Sequence, residues 1–154
     1  MATFGNGRRV AIVAGVRTPF AKAGTALKSL SAIDLGKLCV AELLQRTNLD
    51  GKEVEGLVFG TVIPSVLAPN IAREVSLLPV FPKGVQAFSV SRACASANQA
   101  ITDAADQIAL GQMDVAIAGG SEFYPTSRFC IRRDLRKLWY WHRKRSRFLH
   151  ASRR

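Results

Sequence analysis

Cys94 is the residue in this chain best placed to do chemistry. An apolar run, residues 85–90, precedes it, and a stretch of small residues with helical character, 94–101, begins at it. Strand, short turn, cysteine and helix is the order that presents a thiol to free backbone N–H groups at a helix start. Those groups favour the thiolate, which is the reactive form in nucleophilic catalysis. The alternative is that Cys94 is a small buried apolar residue without a chemical role.

The other cysteines and the histidines do not form a site. Cys39 falls on the apolar face of a predicted helix and is interpreted as part of the core. The spacing of Cys130, His142 and His150 matches no compact metal site, so no metal is expected. Three widely spaced cysteines also argue against a disulfide framework and suit a reducing compartment.

The segments around Cys94 alternate between strand and helix patterns. The pattern predicts strands over residues 10–14, 57–60, 85–90 and 115–118, and helices over 31–46, 70–78 and 94–111. This order indicates an α/β fold, a mainly parallel sheet with helices on both faces. Ligands bind beyond the carboxyl ends of the strands in such sheets, and Cys94 lies just past one of them.

Two helices have a predicted apolar face. The first helix begins with Ser31 and Asp34, which resemble a capping box. Its predicted inner residues are Leu35, Leu38, Cys39, Leu43 and Leu44. Those of the helix after Cys94 are Ala97, Ile101, Ala104, Ala105 and Ile108. Gly111 is predicted to end that second helix.

Five collinear segments resemble the thiolase family, and most closely its fatty-acid-oxidation branch, which includes the trifunctional-enzyme β subunit. They are VAIVAGVRTPF (10–20), VFGTV (58–62), APNIARE (68–74), SVSRAC (89–94) and VAIAGGSE (115–122). The resemblance implies an incomplete thiolase-like N-terminal domain over residues 8–122. It also implies that Cys94 is the nucleophile that forms the acyl-enzyme in acetyl-CoA C-acyltransferase chemistry, with acyl-CoA and coenzyme A as substrates and no bound cofactor. The backbone N–H of Cys94 is a candidate donor to the oxyanion.

The acid and base partners of a thiolase are missing from the chain. The family takes them from a Gly-His-Pro segment, a Cys-x-Gly-Gly-Gly segment and an Asn-Glu-Ala-Phe-like segment, none of which is present. The chain is therefore interpreted as a truncated and inactive fragment of a family whose full-length members form homo-oligomers. Ketoacyl synthases and hydroxymethylglutaryl-CoA synthases share the cysteine at a helix start, but the segments at 17–20 and 69–74 resemble degradative thiolases better.

Residues 123–154 differ in composition from the rest. They hold 11 Lys and Arg against 1 Asp, whereas residues 1–122 hold 11 against 10 Asp and Glu. Three interpretations are open: a basic amphipathic helix for anionic partners, a disordered cationic extension, or translation in a shifted frame, which accounts best for the composition. The alternative function is thus a non-catalytic pseudo-thiolase or decayed product whose basic tail binds polyanions.

No stretch of the chain reaches the ~18 consecutive apolar residues of a membrane span. No apolar signal-peptide region opens it either. A cytoplasmic location is expected.

Overall fold

The computed structural model of the chain describes residues 9–22, 24–66 and 68–122. Its elements are, in order, α1 (Ala32–Thr47), a 3₁₀ turn (Gly51–Glu53), β1 (Gly56–Gly60), α2 (Ile71–Ser76), β2 (Gln86–Val90), α3 (Ser96–Ala109) and β3 (Ala116–Gly120). The chain divides into two units, Met1–Phe123 and Tyr124–Arg154, and all described residues belong to the first. The predictions for residues 123–154, with Cys130, His142 and His150, lie outside the described residues.

β1 is the middle strand of a three-stranded sheet with the order β2-β1-β3. It pairs in parallel with both neighbours, and Gly60 at its end is in register with Val90 of β2 and Gly120 of β3. Parallel neighbours need crossover connections, which contain α2 between β1 and β2 and α3 between β2 and β3. The predicted parallel sheet is confirmed, and the carboxyl ends of its three strands meet at one edge.

Helices cover both faces of this sheet. Successive strand residues point to opposite faces. Leu57 accordingly packs in a core with Leu44 of α1 and Val75 of α2. Its neighbour Val58 packs on the other face against Ala100 of α3. Of the helices described, none is both long enough and apolar enough to cross a bilayer.

The predicted capping box at the start of α1 is confirmed. The Asp34 N–H donates to the Ser31 hydroxyl at 3.2 Å, and the Ser31 N–H donates to the Asp34 carboxylate at 2.9 Å. These reciprocal bonds satisfy backbone groups that a helix start otherwise leaves open. At the other end, Asn48 adopts a left-handed φ of 52° and its N–H donates to the Gln45 carbonyl. Asparagine tolerates that conformation better than most residues.

Acid is expected to weaken this helix start. The side-chain and backbone hydrogen bonds from Ser31 hold the pKa of Asp34 below its ordinary value of 3.8. A lowered pKa means that the carboxylate contributes stability above pH 3.8 and loses it as the pH falls through the folded value. Urea unfolding should therefore find Asp34→Asn less stable than the original chain near neutral pH, with the gap closing on acidification. A gap that stayed constant down to the lowest pH would contradict this.

The strand predicted over residues 10–14 is wrong. These residues form neither strand nor helix, and the Val13 side chain is 89% exposed. A strand needs a hydrogen-bonded neighbour. The sheet of the described residues contains only β1, β2 and β3, and none of these strands pairs with the apolar run at residues 10–14. Apolar composition alone does not make a strand.

The buried faces of α1 and α3 are rotated from the predicted ones. Leu38 is 54% exposed, and Ala97 and Ile101 are exposed as well, against expectation. The rows that face the sheet are Gly36-Val40-Leu44 in α1 and Ser96-Ala100-Ala104 in α3. Both rows are spaced at i, i+4, and the small side chains of the α3 row let that helix lie close to the sheet. Leu44 and Ala104, which belong to these rows, are buried as predicted.

Candidate active site

Cys94 lies in the turn between the end of β2 and the start of α3, at the carboxyl edge of the sheet. Cys94 is an exposed residue, so it is not part of the core. The residue before it, Ala93, has a φ of 45°. This left-handed conformation costs a non-glycine residue about 1–2 kcal/mol, so the surrounding structure must hold it in place.

The hydroxyl of Ser96 closes the turn. It accepts a hydrogen bond from the Arg92 N–H at 2.8 Å and donates one to the Ala93 carbonyl at 2.6 Å. The backbone adds a bond from the Ala95 N–H to the Arg92 carbonyl at 3.0 Å. Ser96 is only 3% exposed, so water does not compete for its hydroxyl. Hydrogen bonds therefore brace the turn on both sides of Cys94.

Two glycines let the first turn of α3 approach the sheet. A β-carbon on Gly60 would overlap the backbone of Ser96 and Ala97. One on Gly120, the register partner of Gly60 on β3, would lie 2.9 Å from the Ala97 β-carbon and 2.7 Å from the Gly60 carbonyl oxygen. Both distances are shorter than such contacts in proteins. The absence of side chains at these two strand ends thus sets how closely the turn of Cys94 lies to the sheet.

Glu122 ties the end of β3 to the loop after β1. Its carboxylate accepts hydrogen bonds from the Val62 N–H at 2.6 Å and the Ile63 N–H at 3.2 Å. The Thr61 hydroxyl donates to the same carboxylate at 3.4 Å. Bonds from backbone N–H groups to a carboxylate are among the stronger kind. Glu122 therefore fixes the loop that follows the middle strand at the edge of the sheet that also carries the Cys94 turn.

The start of α3 carries no capping side chain. Its N-cap residue, Ala95, makes no side-chain cap hydrogen bond, so no carboxylate or hydroxyl at that position competes with a thiolate for N–H groups of the first turn. Beside it, the Arg92 guanidinium donates to the Gln99 side-chain oxygen at 2.7 Å, and the Gln99 amide donates to Asp103 at 2.6 Å. This bridge holds a cationic group along the outer side of the helix start. An uncapped helix start and a cationic side chain thus lie beside the turn that carries Cys94.

Cys39 lies elsewhere, on α1, and is half-buried rather than part of the core. It lines a cavity of about 290 Å³, bounded by residues 14–18, by α1 and by the end of β3. Cys94 is not among the residues that line this cavity. The structure therefore does not bring the two cysteines of the described segments into one site. No cluster of ligands suited to a metal ion occurs among residues 9–22, 24–66 and 68–122.

Three residues that shape the site were missed in the sequence: Ser96, Gly60 and Glu122. Ser96 is the first residue of α3 rather than its N-cap, and its hydroxyl bonds to backbone before the helix, so no capping signal in the sequence pointed to it. No sequence signal links Glu122 to the loop at residues 61–63, because the two are about sixty residues apart. The role of the Cys94 N–H as an oxyanion donor stays a prediction. The described residues contain no histidine that could act as the base.

Comparison with known proteins agrees with this geometry. Residues 10–147 match the family model of the thiolase N-terminal domain. The chain is 52% identical to the 3-ketoacyl-CoA thiolase of Aeromonas salmonicida over 116 residues, which are 75% of this chain and 27% of that protein. It is 48% identical to the 3-ketoacyl-CoA thiolase of Shewanella pealeana over 120 residues, or 78% of this chain and 28% of that protein. The family match extends beyond residue 122, where the predicted domain ends.

Solved structures give the same assignment. The acetyl-CoA acetyltransferase of Bacillus anthracis aligns with a TM-score of 0.66 and 36% identity, over 70% of this chain and 27% of that one. The Acat5 thiolase of Ascaris suum, solved in complex with coenzyme A, aligns with a TM-score of 0.69 and 34% identity, over 76% of this chain and 31% of that one. The chain thus spans little more than a quarter of the curated relatives that it matches. It belongs to the thiolase family and matches the N-terminal domain of that family.

Proposed function

We propose that the chain carries the nucleophile of an acetyl-CoA C-acyltransferase, a 3-ketoacyl-CoA thiolase of fatty-acid β-oxidation, and that Cys94 accepts the acyl group. One observation carries the proposal: an exposed cysteine in a braced turn at the start of α3, within the segment that matches the family. The names of the relatives support the substrate class, a 3-ketoacyl-CoA. Coenzyme A is the second substrate, and the complex of the Ascaris suum thiolase supports it.

The proposed reaction has two half-reactions. The Cys94 thiolate attacks the 3-keto carbon, the bond between carbons 2 and 3 breaks, and the acetyl-CoA carbanion that leaves takes up a proton. The acyl group stays on Cys94 as a thioester. The thiol of a second coenzyme A then loses its proton, attacks that thioester and restores the cysteine. Each attack places negative charge on an oxygen, for which the Cys94 N–H is the proposed donor.

This chain is proposed to be inactive by itself. The proton transfers need a base for the thiol and an acid for the departing carbanion, and each such group contributes roughly 10²–10⁴-fold. The segments that hold these groups in thiolases are not present in the chain. The proposal includes a cytoplasmic location, and it includes homo-oligomers only for the full-length protein.

A chimera tests the proposal. The aligned 116-residue segment of the Aeromonas salmonicida thiolase is replaced with its counterpart from this chain. Purified chimera should cleave acetoacetyl-CoA in the presence of coenzyme A, whereas the 154-residue chain should show no turnover above background. The native Aeromonas enzyme is the positive control. A folded chimera without activity, or turnover by the chain alone, would refute the proposal.

The basic residues 123–154 favour one alternative, a non-catalytic protein that binds polyanions through that segment. Their excess of ten positive charges would make binding electrostatic and therefore sensitive to salt. Heparin chromatography tests this alternative on the chain with residues 123–154 and on a version without them. Only the version with these residues should be retained at low salt, and it should be released at high salt. Combined with an inactive chimera, that result would replace the catalytic proposal.

A further inference from the structure

We propose that Ser96 is a positioning residue for Cys94: its buried hydroxyl holds Ala93 in the left-handed conformation and so fixes the direction of the Cys94 thiol. The proposal rests on the proposed role of Cys94 as the nucleophile. Ser96 itself is not expected to touch substrate, because it is 3% exposed and both of its hydroxyl bonds go to the backbone. It would act through the conformation of the turn.

Ala93 has an unfavourable backbone conformation, which the Ser96 hydroxyl stabilises. Ala93 has a φ of 45°, in a region that favours glycine, asparagine and aspartate over alanine. The Ser96 hydroxyl bonds to the N–H of Arg92 on one side of Ala93 and to the carbonyl of Ala93 itself on the other. Without it, the Arg92 N–H loses its partner, and only the backbone bonds from the Ser96 N–H to the Ala93 carbonyl and from the Ala95 N–H to the Arg92 carbonyl still oppose rotation of Ala93 towards an ordinary negative φ.

The hydroxyl can hold Ala93 because Ser96 is itself held. The backbone of Ser96 lies so close to Gly60 of β1 that no β-carbon fits between them. Gly60 in turn is buried in the middle strand, paired on both sides. The order of support therefore runs from the sheet to Ser96, from Ser96 to Ala93, and from Ala93 to the next residue, Cys94.

Rotation at Ala93 would move the Cys94 thiol relative to the N–H groups at the start of α3. Reactivity depends strongly on such placement, since an error of about 1 Å can cost on the order of a hundredfold in a reaction that needs aligned groups. Cys94 is already exposed, so relaxing the turn offers little gain in access. We therefore expect loss of the Ser96 hydroxyl to slow, rather than accelerate, reactions of Cys94.

Alkylation of the 154-residue chain tests this. Iodoacetamide is added at neutral pH, and mass spectrometry follows Cys94 and Cys39 separately in the same molecule. Ser96→Ala should slow alkylation of Cys94 about two- to fivefold, the range set by the charge interaction at a helix start. Ser76→Ala is the matched control, because Ser76 is also buried, on α2, with its hydroxyl bonded to the Arg73 carbonyl at 2.8 Å. It should leave the rate at Cys94 unchanged.

A second background separates positioning from general stabilisation. Ala93→Gly removes the cost of the left-handed φ, so in that background Ser96→Ala should slow Cys94 less than about twofold. An equal effect in both backgrounds, no slowing of Cys94, or a parallel change at Cys39 would overturn the proposal. Alkylation needs no acyl-CoA. If the chimera kept its thiolase activity after Cys94→Ala, the proposed function would be refuted. The alkylation rates of Cys94 in the 154-residue chain would be unaffected by that result.

Discussion

Cys94→Ala in the chimera is expected to lower kcat for thiolysis by at least about 10⁴-fold, because removing the nucleophile of a covalent mechanism removes the acyl-enzyme itself. The methyl group of alanine can neither attack the 3-keto carbon nor hold the acyl group. Because Cys94 is exposed and outside the core, its replacement should leave the fold intact. Steady-state kinetics with acetoacetyl-CoA, together with circular dichroism of both proteins, measures the two quantities.

Cys39→Ala is the matched control in the same chimera. Cys39 lies half-buried on α1, and Cys94 does not line the cavity that it borders. Its loss should change kcat by less than about threefold, since no step of the proposed mechanism uses it. The Cys94→Ala chimera should also accumulate no acyl-enzyme in the mass spectrum of an acid-quenched reaction. More than about one per cent of the original turnover without Cys94 would show that another group carries the acyl transfer.

The largest expected effect on stability is that of Leu57→Ala. Leu57 lies in the middle strand, is fully buried and packs against α1 and α2. Truncating such a leucine removes apolar burial and leaves a cavity, which together lower the free energy of unfolding by about 3–5 kcal/mol. Urea denaturation of the 154-residue chain, followed by circular dichroism, should show a lower midpoint.

Leu38→Ala provides the control for that experiment. The same atoms are removed, but Leu38 is 54% exposed on α1, and alanine is at least as good a helix former. The expected loss is below about 1 kcal/mol. Similar losses at both positions would mean that the described sheet and helices are not the cooperative core of the chain.

Elements with strong local signals were predicted well from the sequence. The capping box at Ser31 and Asp34 and the asparagine after Thr47 set the ends of α1 through bonds between residues close in the chain. Gly111, with a φ of 74°, follows the end of α3 as predicted. Apart from the run at residues 10–14, the predicted strands and helices lie within two residues of their observed bounds. Local hydrogen bonding and apolar patterning suffice for these, because both are read over a few neighbouring residues.

Features that depend on distant partners were not predicted. Residues 10–14 have the composition of a strand but no neighbouring strand among the described residues, and a sheet edge cannot be inferred from one segment. The inward faces of α1 and α3 were predicted only in part: Leu44 and Ala104 are buried, but Leu38 and Ile101 are exposed, because the most apolar residues were taken as the most buried. In α3, close approach to the sheet selects a row of small side chains, Ser96, Ala100 and Ala104.

The sequence by itself determined the family, the order of strands and helices, and the position of Cys94 between a strand and a helix, since all three follow from residues near one another in the chain. Only the tertiary structure decided how the turn that carries Cys94 lies against the sheet. Gly60 and Gly120 meet the first turn of α3 across the sheet, and Glu122 binds a loop some sixty residues away. Such contacts depend on which strands become neighbours, and strand order is settled by the packing of the whole fold rather than by any local segment.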